Sequence, residues 1–160
     1  MKIIKYNEGI EVHFKQEGKD SNNGLSIFNC IIPSKSRTPM PHYHSDFDET
    51  VFGVKGQISW TVDGKTSEIG PGDSIYIPRG ITHSFSNNTA ETVEFLCHVS
   101  PGILNSDYFE DIAEVINVEG IPDFNQLQLV MKNHGLIPVL DVKRKLIFFI
   151  LGMIRKFKNR

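Results

Sequence analysis

The sequence predicts a mainly β domain, a sandwich or barrel of short strands, followed by a C-terminal helical extension. Up to residue 100 the chain is a series of short β-branched or aromatic runs separated by Gly, Pro, Asn and Asp, which is how strands joined by tight turns are written. No helical periodicity interrupts those runs, so an alternating α/β fold is excluded. Beyond Pro101-Gly102 the apolar spacing changes to that of a helix. The expected organisation is a β-barrel over residues 1–100 and a helical extension over 101–160 that packs on the barrel or on a partner subunit.

Strands are expected at residues 10–14, 25–32, 49–54, 57–62, 74–77, 83–86 and 92–99. Asp63-Gly64 separates Ser59-Trp-Thr-Val62 from Lys65-Thr-Ser-Glu-Ile69, and this dipeptide suits a two-residue hairpin in which both positions take positive φ. Phe109, Ile112, Ala113 and Ile116 then mark a short amphipathic helix, with Asp107 and Glu110 as its capping pair and Gly120 as its stop. A second helix carries Phe124, Leu127, Val130 and Met131 on its apolar face; Asp123 and Gln126 open it, and Gly135 ends it before Pro138.

Composition narrows the function classes. The 160 residues are 39% hydrophobic and 22% charged, an ordinary globular balance that needs no metal merely to fold. Net charge is −2, against the basic excess of a nucleic-acid binder, so no nucleic-acid partner is expected. Cys30 and Cys97 sit in apolar strand-like runs and read as small buried hydrophobes of a reducing compartment. The first residues lack a signal-peptide pattern, and no segment has the length of a membrane span. The expectation is a cytoplasmic protein acting on a small molecule, as a homodimer.

The charge is unevenly distributed. Residues 141–160 hold seven Lys/Arg and one Asp, a net +6, which leaves −8 on the first 140. Within this tail Leu146, Phe149, Ile150, Met153 and Phe157 share one helical face, while Ile147, Phe148, Leu151 and Ile154 make the other apolar too. Two apolar faces call for burial, so docking on the barrel or on a second subunit is expected. Contact with an anionic membrane surface is the alternative.

Two windows carry the chemistry. In Pro41-His42-Tyr43-His44-Ser45-Asp46-Phe47-Asp48-Glu49, strand alternation points His42 and His44 the same way. A turn over residues 45–48 resets the register so that Glu49 can face the same ion. In the second window Pro78-Arg79-Gly80 is a fixed turn delivering His83 to the start of a strand, from where it is expected to meet the earlier pair across the sandwich. Three imidazoles and a carboxylate suit one divalent transition metal, Fe, Mn, Ni, Cu or Zn, with positions left for water, O₂ or substrate. His13, His98 and His134 match no such spacing. Arg79 is read as a solvent-facing turn residue, with a substrate anion as its other use.

These windows resemble the two motifs of the cupin superfamily. The first matches at His42, His44, Glu49 and Gly56, with Ser36 where the family has a leading Gly. The second matches in full at Gly72, Pro78, Gly80, His83 and Asn87. The resemblance implies a jelly-roll β-barrel with His42, His44, Glu49 and His83 as metal ligands, and the helical pair after Pro101-Gly102 is similar to the end of single-domain quercetin-dioxygenase-like cupins. It further implies a metal-dependent dioxygenase-type enzyme acting on a small oxygen-bearing molecule. Glu49 would be the catalytic residue, as ligand or as general base. A metal-dependent isomerase of a sugar or keto acid, and a binding or sensing module without turnover, are the alternatives. No further cofactor is expected. Phe47, Phe52, Trp60, Phe85, Tyr43 and Tyr76 are mostly core by size, with Phe85, Phe47 and Tyr43 as the expected pocket wall.

Overall fold

The computed structural model describes residues 2–38 and 40–158. Ten strands precede the helices: β1 Lys2–Lys5, β2 Glu11–Gln16, β3 Ser26–Ile32, β4 His42–His44, β5 Asp48–Lys55, β6 Ile58–Val62, β7 Lys65–Ile69, β8 Ser74–Ile77, β9 His83–Ser86 and β10 Val93–Ser100. Then come α1 Ser106–Ile116, α2 Phe124–Asn133, a further strand β11 Leu136–Pro138, and α3 Val142–Lys158. The strands form two antiparallel sheets, ordered β1-β2-β3-β10-β5-β8 and β11-β4-β9-β6-β7. They face each other as a jelly-roll sandwich without closing into one continuous barrel.

The packing follows from alternation. Along β10 the residues Val93, Phe95, Cys97 and Val99 are buried and their neighbours less so, as expected where one face meets the core. Phe95 meets Trp60 and Phe85 of the opposite sheet edge-on, with ring centroids 5.5 and 5.3 Å apart. The Asp63-Gly64 hairpin is as expected, both residues at positive φ (50° and 73°). Tyr76 departs from the reading of the large aromatics as core. It is 58% exposed, because β8 is an edge strand and Ile77 beside it takes the inward position.

The helical region differs at its boundaries. The first helix starts at Ser106 with Asn105 in the N-cap position, so the Asp107 and Glu110 pairing does not form. The Asn105 side chain instead accepts from the Gly18 amide and the Ser26 hydroxyl, at 2.8 and 3.2 Å. This helix ends at Ile116, well before Gly120. Asp123 does cap α2, accepting from the amides of Asn125 and Gln126. Strand β11 has no counterpart in the sequence reading; it pairs with β4, Leu136 opposite His44 and Pro138 opposite His42, and so braces the histidine strand from outside.

The third helix packs by one side only. Phe148 stacks on Phe124 of α2 with centroids 4.2 Å apart, and Arg155 is ion-paired with Asp123. A cavity of about 450 Å³ remains beside it, lined by Val115, Val118, Ile121, Asp123 and Arg155 among others. The side chain of Phe157, expected on the apolar face, lies outside the described residues. Among those residues no helix is long and apolar enough to cross a membrane.

Candidate metal centre

The three histidines of the two windows converge. His42 and His44 are on β4 with both side chains buried. His83 opens β9 directly opposite His42 in the same sheet. The geometry therefore corrects the expectation that His83 reaches the pair across the sandwich: it is an in-sheet neighbour, and Glu49, from β5 of the other sheet, is the group that crosses. Strand pairing is non-local, which is why turn spacing alone did not show it.

One potential ligand atom from each ring lies within 4.8 Å of the others. The ring centroids are 4.5 to 5.3 Å apart. Glu49 Oε2 is 3.9 Å from His44 Nε2 and 3.8 Å from His83 Nε2. Two rings are held by backbone. His42 Nδ1 lies 3.0 Å from the Met40 carbonyl and His83 Nδ1 3.0 Å from the Ile81 carbonyl. A carbonyl only accepts, so each Nδ1 carries a proton, which leaves Nε2 as the ring nitrogen available to a metal. His44 is fixed differently: Phe47, fully buried, stacks on it at 4.2 Å, and its Nδ1 is buried without a partner among the described residues.

Local sequence explains the delivery. Gly80 holds φ at 79°, a conformation that disfavours any residue with a Cβ, and its amide donates to the His44 carbonyl at 2.8 Å. The turn before His83 is thereby pinned to the strand carrying the other two rings. Asn87 is buried and its Nδ2 donates to the carbonyls of Ile32, Pro33 and Glu91, so this motif residue staples loops and touches no ligand. Ser36, in place of the motif glycine, is not at positive φ; Lys35 takes that conformation at 63°. The positive-φ residue of this loop thus precedes the motif position by one.

The electrostatics suit a cation. Burial, followed by the neighbouring His83, pushes His42 down to about 3. Burial and the other two rings lower His44 well below its usual value. These two rings are neutral at physiological pH, the state that binds metal. Burial raises Glu49 above the ordinary carboxylate range, against the opposing pull of His83 and a hydrogen bond with Cys97. Lone pairs of neutral imidazoles directed at one another gain nothing without an ion between them, so the donor set fits a transition metal.

The remaining candidates divide. Phe85 is half-buried beside Trp60 at 5.2 Å, on the same face of β9 as His83 by alternation. Phe47 braces His44. Tyr43 does not join them: it lies between His42 and His44, so alternation turns it to the opposite face of β4. Arg79 is engaged in a bidentate ion pair with Asp48, 2.9 and 3.1 Å. His13 pairs with Glu11 and His134 with Asp111, both at 2.7 Å, and His98 lies tilted against Phe52 with ring centroids 4.8 Å apart; all three stand apart from the centre.

Three groups beside the centre were not visible in the sequence. Cys97 sits diagonally from Glu49 across the β5–β10 ladder, and its thiol opposes the upward shift of Glu49. Tyr108 of α1 is buried, and burial followed by the Glu49 charge holds its phenol far above the usual value. Trp60 is 2% exposed, stacks on His83 at 6.2 Å and has a buried Nε1 without a partner among the described residues. Their only sequence signal is an inward position on a strand or helix.

Comparison with known proteins agrees with this geometry. A family model described as the cupin domain matches residues 29–99. An uncharacterised protein of Aquifex aeolicus is 34% identical over 105 residues, 66% of this chain and 84% of that one. The quercetin 2,3-dioxygenase of Bacillus subtilis is 34% identical over 77 residues, 48% of this chain but 23% of the enzyme. Among solved structures, KdgF from a Halomonas species superposes with a TM-score of 0.57 at 17% identity, covering 67% of this chain and 92% of that one; at this identity the likeness concerns the fold alone.

Proposed function

From the premise that this chain belongs to the cupin family, we propose that it is a transition-metal enzyme of the dioxygenase type acting on a small oxygen-bearing molecule. The convergence of His42, His44 and His83 with Glu49 at its edge is the observation that carries this. The three imidazoles would hold the ion through Nε2. When bound, the metal supplies Lewis-acid polarisation of substrate oxygens and, if redox-active, electron transfer.

The chain's own residues do the rest. Glu49, whose proton affinity burial raises, as the carboxylate takes the proton of a substrate hydroxyl at Oε2 and returns it later. A carboxylate with a raised pKa is better matched to that task than an ordinary one. Phe85 and Trp60 make an apolar wall on the His83 side, and the free Trp60 Nε1 is a donor for a substrate oxygen. The partial match to quercetin 2,3-dioxygenase supports a flavonol or enediol-like substrate.

The single tryptophan provides the first test. Trp60 lies against His83, so titration with Cu²⁺ or Ni²⁺ should quench its fluorescence at about one equivalent, and His83→Ala should abolish the quench. Oxygen uptake with a flavonol panel on metal-loaded protein then checks the reaction. Solvent-proton exchange into a sugar or keto acid without oxygen uptake would make it an isomerase; binding without either would make it a sensing module.

A further inference from the structure

The exposed side of α3 has no role in the metal chemistry and no cover among the described residues. Leu146, Ile147, Phe149, Ile150, Met153 and Ile154 are all exposed, Phe149 by 63% and Leu146 by 58%. At 100° per residue they occupy one arc of roughly 160°, opposite Phe148 and Arg155, which dock the helix on α2. A contiguous apolar face of this kind marks an interaction site. The helix does not insert upright: residues 146–154 extend about 14 Å, less than half a bilayer core.

Charge decides what covers it. Lys143, Arg144 and Lys145 stand before the apolar run and Arg155, Lys156 and Lys158 after it, and the helix has no acidic residue. The first three oppose the helix dipole, which disfavours cations at an N-terminus. No ion pair to Lys143 or Lys145 is present among the described residues. Pairing α3 with α3 of a second copy sets cations against cations in either orientation, since both ends are basic. The exposed apolar residues of the body, such as Val54, Tyr76 and Leu129, lie on separate elements, so it offers no matching stripe.

We infer that α3 is an in-plane anchor for an anionic lipid surface: its apolar face sinks to the acyl boundary while the bracketing cations meet the phosphates. A bilayer interface supplies apolar depth and negative charge together, the combination this helix requires.

The test uses the full chain with vesicles of phosphatidylcholine alone or mixed with phosphatidylglycerol, followed by co-sedimentation and by light scattering of the protein without lipid. Binding is expected only to the phosphatidylglycerol vesicles, falling as salt rises. Ile150→Glu and Phe149→Glu should each reduce the partition coefficient at least about tenfold. Both variants should keep the metal quench of Trp60, which shows the domain folded. Absence of binding by the wild type, or equal binding by wild type and both variants, overturns the inference. So does a dimer that Ile150→Glu dissolves while the wild type ignores lipid, which would assign the face to a second copy.

Discussion

The sandwich interior and α3 are built from the same apolar residue types and use them in opposite ways. In the interior, Phe47, Trp60, Phe95 and Ile77 are closed off from solvent, and the buried polar groups include His42, His44, His83, Glu49 and Asn87. In α3 the apolar residues other than Phe148 and Leu151 face outward and the charges sit at the ends. The body carries −8 and the tail +6. Burial thus follows from what the surrounding element offers rather than from hydrophobicity alone: facing sheets enclose side chains from two sides, whereas α3 meets its neighbour along one edge.

Separation of the two regions is tested most strongly at the ligands. His42→Ala and His83→Ala should each reduce metal from about one ion per chain to a small fraction by elemental analysis, because three imidazoles leave no spare ligand. Vesicle partition should be unchanged in both. A ligand variant that loses lipid binding together with metal would break the comparison by coupling the regions.

Glu49→Gln comes next. If Glu49 works as the base, the metal is retained while turnover falls about 10²-fold or more. Loss of metal in parallel would make it a ligand, and unchanged turnover would remove it from the chemistry.

Aromatic truncation sharpens the contrast in stability. Phe47→Ala should destabilise by about 3–5 kcal/mol, the range for a fully buried aromatic, and should weaken metal retention by releasing His44. Phe148→Ala removes a stack at the edge of α3 and should leave the main denaturation transition within about 1 kcal/mol of wild type. It should make residues 142–158 exchange amide protons faster. Equal losses would mean that α3 is part of the cooperative core.

Acid should act on the interior first. His42, pushed to about 3 when folded, takes a proton near 6.5 when unfolded. Between those values the unfolded chain binds the extra proton, so stability falls as pH falls, by up to about 1.4 kcal/mol per pH unit for each such ring. His44 is displaced in the same direction. Glu49, raised by burial, works oppositely: its contribution is present below its unfolded pKa and lost as pH rises through the folded one. Urea titrations of metal-free protein from pH 7 to 4 should show the midpoint falling; a flat midpoint would contradict the burial of neutral imidazoles.

How much of this was legible follows from how local each feature is. The histidine cluster could be read because each member lies at a fixed offset from a turn: His42 and His44 two apart on one strand, and His83 just after Pro78-Arg79-Gly80. Asp63-Gly64 and Asp123 could be read for the same reason, since hairpin and cap are set within a few residues. The sheet to which His83 belongs depends on pairing between distant segments and was placed wrongly. Strand β11 is three residues ending in Pro138 and becomes a strand only by lying along β4. The Asp107 cap failed because Asn105 had already started the helix while its side chain was diverted to Gly18 and Ser26. For α3 the two apolar faces were visible, but not which would be covered.

The smallest expected effect lies at the joint between the regions. Asp123 both caps α2, through the Asn125 and Gln126 amides, and pairs with Arg155 of α3. Partial burial opposes its ionisation, but those amides and the guanidinium prevail and hold the carboxyl below its usual range. Asp123→Asn keeps a side-chain oxygen for the cap and removes the charge that holds Arg155. Asp123→Ala removes both. The exposed pair is worth about 1 kcal/mol or less, whereas a lost N-cap costs about 0.5–2 kcal/mol. Asparagine should therefore leave the denaturation midpoint nearly unchanged and speed hydrogen exchange in α3, while alanine should also lower the midpoint and loosen the first turn of α2. If asparagine lowers the midpoint as far as alanine does, the tether to α3 contributes to the stability of the body, and the helix is more firmly docked than its single stacked contact indicates.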